Sequence, residues 1–266
     1  MNRKDDDTKF NLIPPEATDK LAKSPMLSSQ RILESIFHRG VVVCEADADR
    51  TVYQSVSTLV HNNQEILFVH SHNKQTLKDV ASLLLDAKIP VVVVTDIDFL
   101  NDENDYKQLI ETLTGNAITQ ELIDQRRKIA EVVNQSPDEE IMESLTSQIE
   151  EFLNQLKNKE HTFDGAKGAI NRIRREITKW KSPKTNGIAG FPETIQENVE
   201  ELINELKTKD IFIVPVGELE GWMNVGTTRK NQWIIKALED IFNGKTSTDL
   251  SQFVKEIIDK VNNNVA

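Results

Sequence analysis

The sequence predicts an α/β fold in which helices flank a parallel β-sheet. Two observations indicate it. The first is a set of short β-branched runs, of which the four consecutive valines at 91–94 are the clearest. A run that is apolar on both faces is typical of a central strand in a parallel sheet. The second is the alternation of such runs with amphipathic helical segments, which is the pattern of right-handed βαβ units.

The predicted elements follow one another in the order that such a sheet requires. Residues 1–20 are polar, show no helical or strand period and predict an N-terminal tail, which we extend to residue 27. The pattern then predicts a helix at 28–37, a strand at 41–45, a helix at 49–62, a strand at 65–70, a helix at 75–87 and a strand from 91 onwards.

A long helical segment separates the third strand from the fourth. Residues 138–157 carry apolar side chains at helical spacing and predict a helical hairpin or small bundle. A helix at 192–207 leads to the fourth strand at 211–215, and two amphipathic helices follow. The predicted parts are a tail at 1–27, a first core part at 28–103, a helical insertion at 104–190 and a second core part with C-terminal helices at 191–266.

Composition limits the cellular setting. The chain has 266 residues, of which 38% are hydrophobic and 28% charged, enough for one large domain or a core domain with an insertion. Its single cysteine, Cys44, excludes a disulfide framework and fits a reducing compartment. The sequence has no run of roughly 18 apolar residues, and its polar first residues are unlike a signal peptide. We expect a cytoplasmic protein with no membrane partner.

Charge is unevenly distributed along the chain. The formal net charge of −11 argues against nucleic-acid binding over the whole surface. Between 167 and 184, however, seven basic residues stand against one acid, Glu176. This segment is either a solvated helix face or a patch that contacts phosphate groups. Its basic residues are Lys167, Arg172, Arg174, Arg175, Lys179, Lys181 and Lys184.

Three of the predicted strands are followed by pairs of carboxylates. Because the carboxyl ends of parallel strands meet at one edge of a sheet, we expect these acids to converge there. Converging carboxylates repel one another unless a cation neutralises them, and oxygen ligands of this kind suit Mg²⁺ or Mn²⁺. The sequence therefore predicts a divalent-metal site. The pairs are Glu45 and Asp49, Asp96 and Asp98, and Glu218 and Glu220.

Each pair alone is a weak signal, since acids after a buried strand often cap the next helix or stay solvated. Their recurrence at three strand ends favours the metal interpretation. The sequence contains no Gly-x-x-x-x-Gly-Lys-Ser/Thr, no Gly-x-Gly-x-x-Gly and no Gly-x-Ser-x-Gly. Nucleotide hydrolysis by a P-loop and dinucleotide redox chemistry therefore lack support.

In this order the acid clusters resemble the TOPRIM domain, the metal-dependent fold shared by topoisomerases, primases and the OLD (overcoming lysogenization defect) family of nucleases. The first motif of the domain is a hydrophobic strand followed by Glu and a nearby Asp, and the segment 41–49, which contains Glu45, resembles it. Asp96-Ile-Asp98 resembles the second motif. Glu218-Leu-Glu220 resembles the Leu-Glu acid of the OLD-like nucleases.

The sequence departs from the pattern at two positions. Ala46 replaces the usual glycine after the motif glutamate, and the loop Ser71-His-Asn-Lys74 only partly matches the usual Gly-Gly-Lys. The ATPase half of the OLD proteins is missing from the sequence, so we expect a fragment, one product of a split system or a stand-alone relative.

The resemblance implies a TOPRIM-like Rossmannoid sheet and a DNA endonuclease that depends on Mg²⁺ or Mn²⁺. In the two-metal scheme one ion activates the attacking water and the other stabilises the leaving oxygen. The implied setting is phage defence or DNA processing, with DNA as the substrate and an ATPase domain or subunit as a partner. A homo-oligomer formed through the helical insertion is a further expectation.

The same resemblance assigns roles to residues. Glu45 is expected to be catalytic as well as a ligand, and a lysine is expected to stabilise the pentavalent phosphate. For that lysine the prediction is Lys245, in preference to Lys230 and Lys236. The implied metal ligands are Glu45 and Asp49 for one ion, Asp96 and Asp98 for binding or bridging, and Glu218 and Glu220 for the second ion.

Three alternatives stay open. The chain could be a non-catalytic assembly module that binds a partner ATPase and keeps vestigial carboxylates, which the loss of the glycine at Ala46 favours slightly. A strand-passing or priming enzyme of the same fold has less support, since Tyr53 and Tyr106 are the only tyrosines and neither is obviously placed beside the acids. A phospho-acceptor receiver domain fits least, because it lacks the helical insertion and the third acid pair.

Overall fold

The computed structural model of the chain describes residues 2–4, 7–9, 14–15, 30–71, 74–135, 139–160, 162–176, 178–227 and 229–265. Within them a four-stranded parallel sheet lies between two layers of helices, which confirms the predicted α/β class. Two three-residue strands, β1 (Asn2–Lys4) and β2 (Asp7–Lys9), form a small antiparallel hairpin where the sequence predicted no regular element.

The order of the strands brings the acidic loops together. β3 pairs with β4 on one side and with β5 on the other, and β5 also pairs with β6, so the order is β4-β3-β5-β6 and every pair is parallel. The ends of β3 and β5, which carry two of the acid pairs, are therefore neighbours at the centre of the sheet. The strands are β3 (Gly40–Cys44), β4 (Ile66–His70), β5 (Val91–Thr95) and β6 (Ile211–Ile213).

Most helices of the described chain lie between β5 and β6 in sequence; that they form an insertion stays a prediction. None of the helices in the described part of the chain is both long enough and apolar enough to cross a bilayer. The helices are α1 (Gln30–Glu34), α2 (Asp47–Leu59), α3 (Lys74–Asp86), α4 (Glu103–Thr114), α5 (Gln120–Gln135), α6 (Glu139–Lys157), α7 (Phe163–Glu176), α8 (Lys181–Asn186), α9 (Glu193–Thr208), α10 (Lys230–Phe242) and α11 (Thr248–Val265). Short 3₁₀ turns span Ser35–Phe37, Ile97–Asn101, Gly187–Gly190 and Leu219–Trp222.

Alternate residues of each strand pack into two separate cores. Val41 and Val43 face one core, which α1, α3, α4, α5 and α9 cover, whereas Val42 and Cys44 face the other, which α2, α10 and α11 cover. The strands are apolar on both faces because both faces are covered. Since α4 and α5 contribute to the same core as the sheet, this part of the predicted insertion packs onto it directly. The domain boundaries stay a prediction.

The segment after α8 crosses the segment after β6 at close range. The backbone N–H of Ile188 donates to the carbonyl oxygen of Pro215 at 2.9 Å. Gly187 (φ +63°) and Gly217 (φ +89°) lie at this crossing, where a Cβ on Gly217 would stand 2.3 Å from the carbonyl oxygen of Lys184. The crossing therefore requires glycine and fixes α8 against the end of β6.

We expect Gly217→Ala to destabilise the protein more than Gly115→Ala does. Both glycines have a positive φ, but a Cβ on Gly115 (φ +66°) would meet open space. Gly115→Ala then measures the backbone cost alone, about 1–2 kcal/mol, and Gly217→Ala adds a steric cost of roughly 1–3 kcal/mol. Urea unfolding of the two variants measures the difference, and equal losses would contradict the close crossing.

Candidate metal centre

Glu45, which directly follows β3, connects the ends of the two central strands. Its Oε1 accepts a hydrogen bond from the hydroxyl of Thr95 and another from the backbone N–H of Asp96, at 3.1 Å. Burial raises the pKa of Glu45, and the charge of Asp98 adds to the rise, while Lys74 and these hydrogen bonds oppose it. Thr95 thus orients the Glu45 carboxylate at the edge of the sheet.

Asp49 lies in the first turn of α2. Its Oδ2 accepts a hydrogen bond from the backbone N–H of Ala46 at 3.1 Å, which satisfies one of the free donors at the start of the helix. The residue is only 7% exposed. Burial raises its pKa and the charge of Glu220 adds to the rise, although Lys230 acts in the opposite direction. Asp49 therefore caps the helix and also belongs to the acidic cluster.

Asp96 and Asp98 have opposite electrostatic environments although they are two residues apart. Burial raises the pKa of Asp96 well above its ordinary value, and the negative charges of Glu45, Asp49 and Asp98 raise it further. Burial also acts to raise the pKa of Asp98, but two ammonium groups outweigh it and lower that pKa. These belong to Lys184, whose Nζ lies 3.3 Å from Asp98 Oδ2, and to Lys74, which contacts Oδ1.

The third acid pair follows β6. Burial raises the pKa of Glu218; Lys184 opposes this rise and the charge of Glu220 adds to it. One oxygen of Glu220, Oε2, is buried and has no hydrogen-bond partner among the described residues. The same turn is fixed to α2 by a hydrogen bond from Trp222 Nε1 to the hydroxyl of Tyr53, at 3.1 Å, one turn beyond Asp49. This contact places Glu220 near Asp49.

The structure brings all three pairs into one electrostatically coupled region. Asp96 interacts with Glu45 and with Asp49, Asp49 interacts with Glu220, and Glu218 interacts with Asp98. The region lies at the carboxyl ends of β3, β5 and β6, as the sheet topology requires. The role of these side chains as metal ligands stays a prediction.

The structure places Lys245 away from this region. It follows the C-terminal end of α10, its side chain is 74% exposed, and its Nζ lies 3.9 Å from Asp240 Oδ1. Lys230 is at the other end of the same 13-residue helix, about 20 Å away at 1.5 Å per residue. Lys230 interacts electrostatically with Asp49 and Glu218. The geometry therefore favours Lys230 over the predicted Lys245.

Sequence reasoning did not assign Lys74 and Lys184 to the site. Lys74 ends the loop that was matched only partly to Gly-Gly-Lys, and Lys184 ends the basic segment 167–184. The partly matching loop and the basic segment are both visible in the sequence, but neither indicates that Asp98 is the partner of these lysines.

His70 contacts Asp47, with Nδ1 3.4 Å from Oδ1, and His72 lies outside the described residues.

The side chains of the three acid pairs have the right chemistry to bind a divalent cation. Their positions, however, are not those of metal ligands. Over the described ranges, no three His, Cys, Asp or Glu side chains are arranged to hold a metal ion. The donors are all oxygens, the ligands that Mg²⁺ and Mn²⁺ prefer. The unpartnered Glu220 Oε2 and the raised pKa values of four carboxyls are also compatible with a site for a cation.

This fold and this site define a class, a parallel α/β domain with an acidic centre at the carboxyl edge of its sheet. Residues 36–98 match the family model of the Overcoming lysogenization defect protein-like, TOPRIM domain. The match covers β3, β4 and β5 with the first two acid pairs, and it confirms the resemblance over this part of the chain.

The solved structures similar to the chain include two of the C-terminal region of the OLD protein of Xanthomonas campestris pv. campestris. The one phased with platinum is 16% identical with a TM-score of 0.40, and the match covers 87% of this chain and 96% of that one. The one phased with mercury is 15% identical with a TM-score of 0.39, and the match covers 86% and 97%. A comparison with curated proteins gives no match.

Asp96→Asn is expected to stabilise the metal-free protein. Because the folded-state pKa of Asp96 is raised, the folded protein holds this proton more tightly than the unfolded chain. The protonated carboxyl of Asp96 stabilises the folded state fully below the ordinary pKa of aspartate. This contribution is lost as pH rises through the raised pKa of the folded state. We expect a gain of about 1 kcal/mol at pH 7.5 that shrinks towards pH 4, measured by denaturant unfolding in EDTA.

Asp98→Asn is expected to have the opposite effect on stability to Asp96→Asn. Its lowered pKa means that the carboxylate stabilises the folded state above its ordinary pKa and loses this effect as pH falls through the folded pKa. We therefore expect Asp98→Asn to destabilise the protein at pH 7.5, because Lys74 and Lys184 lose their partner. Changes of the same sign in both variants would contradict the described electrostatics.

Proposed function

We propose that this chain is a divalent-metal-dependent DNA endonuclease of the TOPRIM type. The observation that carries the proposal is the convergence of three acid pairs at one sheet edge, in a chain whose residues 36–98 match the OLD-like TOPRIM model. The match supports a nuclease-type or metal-binding role. We propose, more specifically, that the chain cleaves DNA with Mg²⁺ or Mn²⁺. A phosphodiester is a suitable substrate for such a centre, because its oxygens can bind the metal ions.

The proposed ligands keep the roles that the resemblance implies. When bound, Mg²⁺ or Mn²⁺ would supply an activated water and would neutralise the charge that develops on the phosphate. The carboxylates would hold these ions, with Glu45 and Asp49 for one, Asp96 and Asp98 for binding or bridging, and Glu218 and Glu220 for the other.

The neighbouring groups orient these ligands. The Thr95 hydroxyl and the Asp96 backbone N–H hold one oxygen of Glu45, and the Ala46 backbone N–H holds one oxygen of Asp49. Hydrogen bonds of this kind fix the direction of a carboxylate before a cation arrives. Lys230, at the start of α10, is the proposed lysine for the phosphate, because it lies within electrostatic range of Asp49 and Glu218.

The proposed partners follow from the same resemblance. DNA is the substrate, an ATPase domain or subunit acts with the centre, and the setting is phage defence or DNA processing in the cytoplasm. A homo-oligomer through the helical segment is part of the proposal. Exposed apolar side chains such as Met142 on α6 and Phe163 on α7 support it.

A second candidate is a non-catalytic TOPRIM-like module that binds a partner ATPase. The ion pairs of Asp98 with Lys74 and Lys184 favour it, because lysines that permanently replace a metal ion would keep the fold without catalysis. The two candidates differ in whether the isolated chain cleaves DNA when a divalent ion is present.

Plasmid cleavage by the purified chain with Mg²⁺, Mn²⁺ or EDTA tests the proposal. We expect metal-dependent cutting, and a loss of roughly 100-fold or more in the double variant Glu45→Ala/Asp96→Ala. The matched control, Glu65→Ala/Asp79→Ala, removes two exposed acids; Glu65 stands before β4, at the opposite edge of the sheet. No cutting with any metal, while the chain binds an ATPase tightly, would favour the assembly module.

Substitution of the two candidate lysines separates the structure-based choice from the sequence-based one. We expect Lys230→Gln to reduce the cleavage rate by about 10²- to 10³-fold, the scale of a lost transition-state contact, and Lys245→Gln to have a much smaller effect. Single-turnover cleavage of a supercoiled plasmid measures both rates. A larger loss in Lys245→Gln would restore the sequence prediction.

A further inference from the structure

Two lysines share one carboxylate at the centre of the site. Lys184 Nζ lies 3.3 Å from Oδ2 of Asp98, and Lys74 contacts Oδ1. They come from different parts of the fold, since Lys74 begins α3 and Lys184 lies on α8, 86 residues beyond Asp98. Both oxygens of Asp98 are thus engaged by ammonium groups.

The backbone of Lys184 is held in place by contacts, whereas its side chain is long and flexible. Its backbone N–H donates to the carbonyl oxygen of Trp180 at 2.9 Å, and its carbonyl oxygen lies at the close crossing with Gly217. The side chain is 37% exposed. A lysine side chain is a flexible stem with a compact charge, so the ammonium group can exchange partners while α8 stays in place.

The charges around Lys184 explain its position. Its ammonium group interacts electrostatically with the carboxylates of Asp98, Asp96 and Glu218. It lies between the acids that follow β5 and those that follow β6. The ammonium groups of Lys184 and Lys74 offset the negative charge of Asp98.

A divalent ion at Asp98 would reverse this balance. Such an ion would repel the neighbouring ammonium groups, and its double charge makes this repulsion twice that between two unit charges at the same distance. It would also take over the carboxylate that holds them, and a partly exposed ion pair contributes little on its own. The ammonium groups are therefore expected to leave Asp98 when the ion binds.

We propose that Lys184, with Lys74, occupies the cation position at Asp98 in the metal-free chain and moves to a DNA phosphate when a divalent ion takes that carboxylate. The phosphate half of this statement rests on the proposed function. Lys184 is the last residue of the basic segment 167–184, the part of the sequence in which positive charge is most concentrated, and such segments bind phosphate groups. Lys184 thus competes with the metal ion for Asp98 and contacts a DNA phosphate once the ion has displaced it.

Mn²⁺ binding tests the first half without any cleavage. Titration calorimetry of the full chain with Mn²⁺ compares the wild type with Lys184→Gln and with Lys181→Gln, an exposed lysine of the same helix with the same charge change. Removal of the competitor is expected to tighten Mn²⁺ binding by about two- to fivefold in Lys184→Gln, and Lys181→Gln is expected to bind as the wild type does. Unchanged or weaker binding by Lys184→Gln would overturn the displacement.

DNA binding tests the second half. In Ca²⁺, used as a non-cleaving divalent ion, Lys184→Gln is expected to bind a short duplex several-fold more weakly than the wild type. The slope of log affinity against log salt is expected to fall by about 0.9, the value for one lost phosphate contact. Tighter Mn²⁺ binding with unchanged DNA affinity would overturn the phosphate contact and leave the displacement intact.

Two further variants keep the test decisive. Lys184→Arg retains the charge and is expected to preserve the salt slope, which a merely structural role would not require. Lys74→Gln is expected to tighten Mn²⁺ binding in the same way, and it replaces Lys184→Gln if that variant does not fold. If the wild type binds Mn²⁺ but neither binds nor cleaves DNA, the proposed function fails while the displacement stays measurable.

Discussion

The repulsion between carboxylates at one edge of the sheet is the constraint to which the rest of the site responds. The strand order makes β3 and β5 neighbours, so Glu45 and Asp96 meet at the centre of the edge. Both faces of the sheet are covered by apolar side chains, which reduces the screening of these charges by water. Four of the carboxyls therefore have raised pKa values and retain protons more tightly than they would in water, namely Glu45, Asp49, Asp96 and Glu218. At Asp98 two lysines offset the cost instead.

The sheet and its acids were predictable because their signals are local. The valines at 91–94 identify a central strand, and the position of each acid pair follows from the strand before it. Lys184 was not assigned to the site because its place depends on a backbone crossing between distant segments, which no local pattern encodes. The prediction of Lys245 rested on position downstream of the acids, whereas the direction of α10 decides which end of the helix is near them.

The alanine at position 46 bears on the choice between an active and a vestigial centre. Glycine is required where φ is positive or where a Cβ has no room. Ala46 has φ −124° and ψ 162°, an extended conformation that any residue adopts, and its N–H donates to Asp49. The backbone at this position therefore functions without glycine, and the substitution gives less support to the vestigial alternative than the sequence alone suggested.

The hydrogen bond between Trp222 and Tyr53 has a consequence for how the centre assembles during folding. The two residues are 169 positions apart, so the last acid pair reaches the first only after most of the chain has been ordered. Contacts of such long range form slowly, because the entropy of closing the intervening loop must be offset first. The ends of β3, β4 and β5 bring together only the first two acid pairs. The complete set of carboxylates, with its electrostatic cost, therefore depends on closing this long loop.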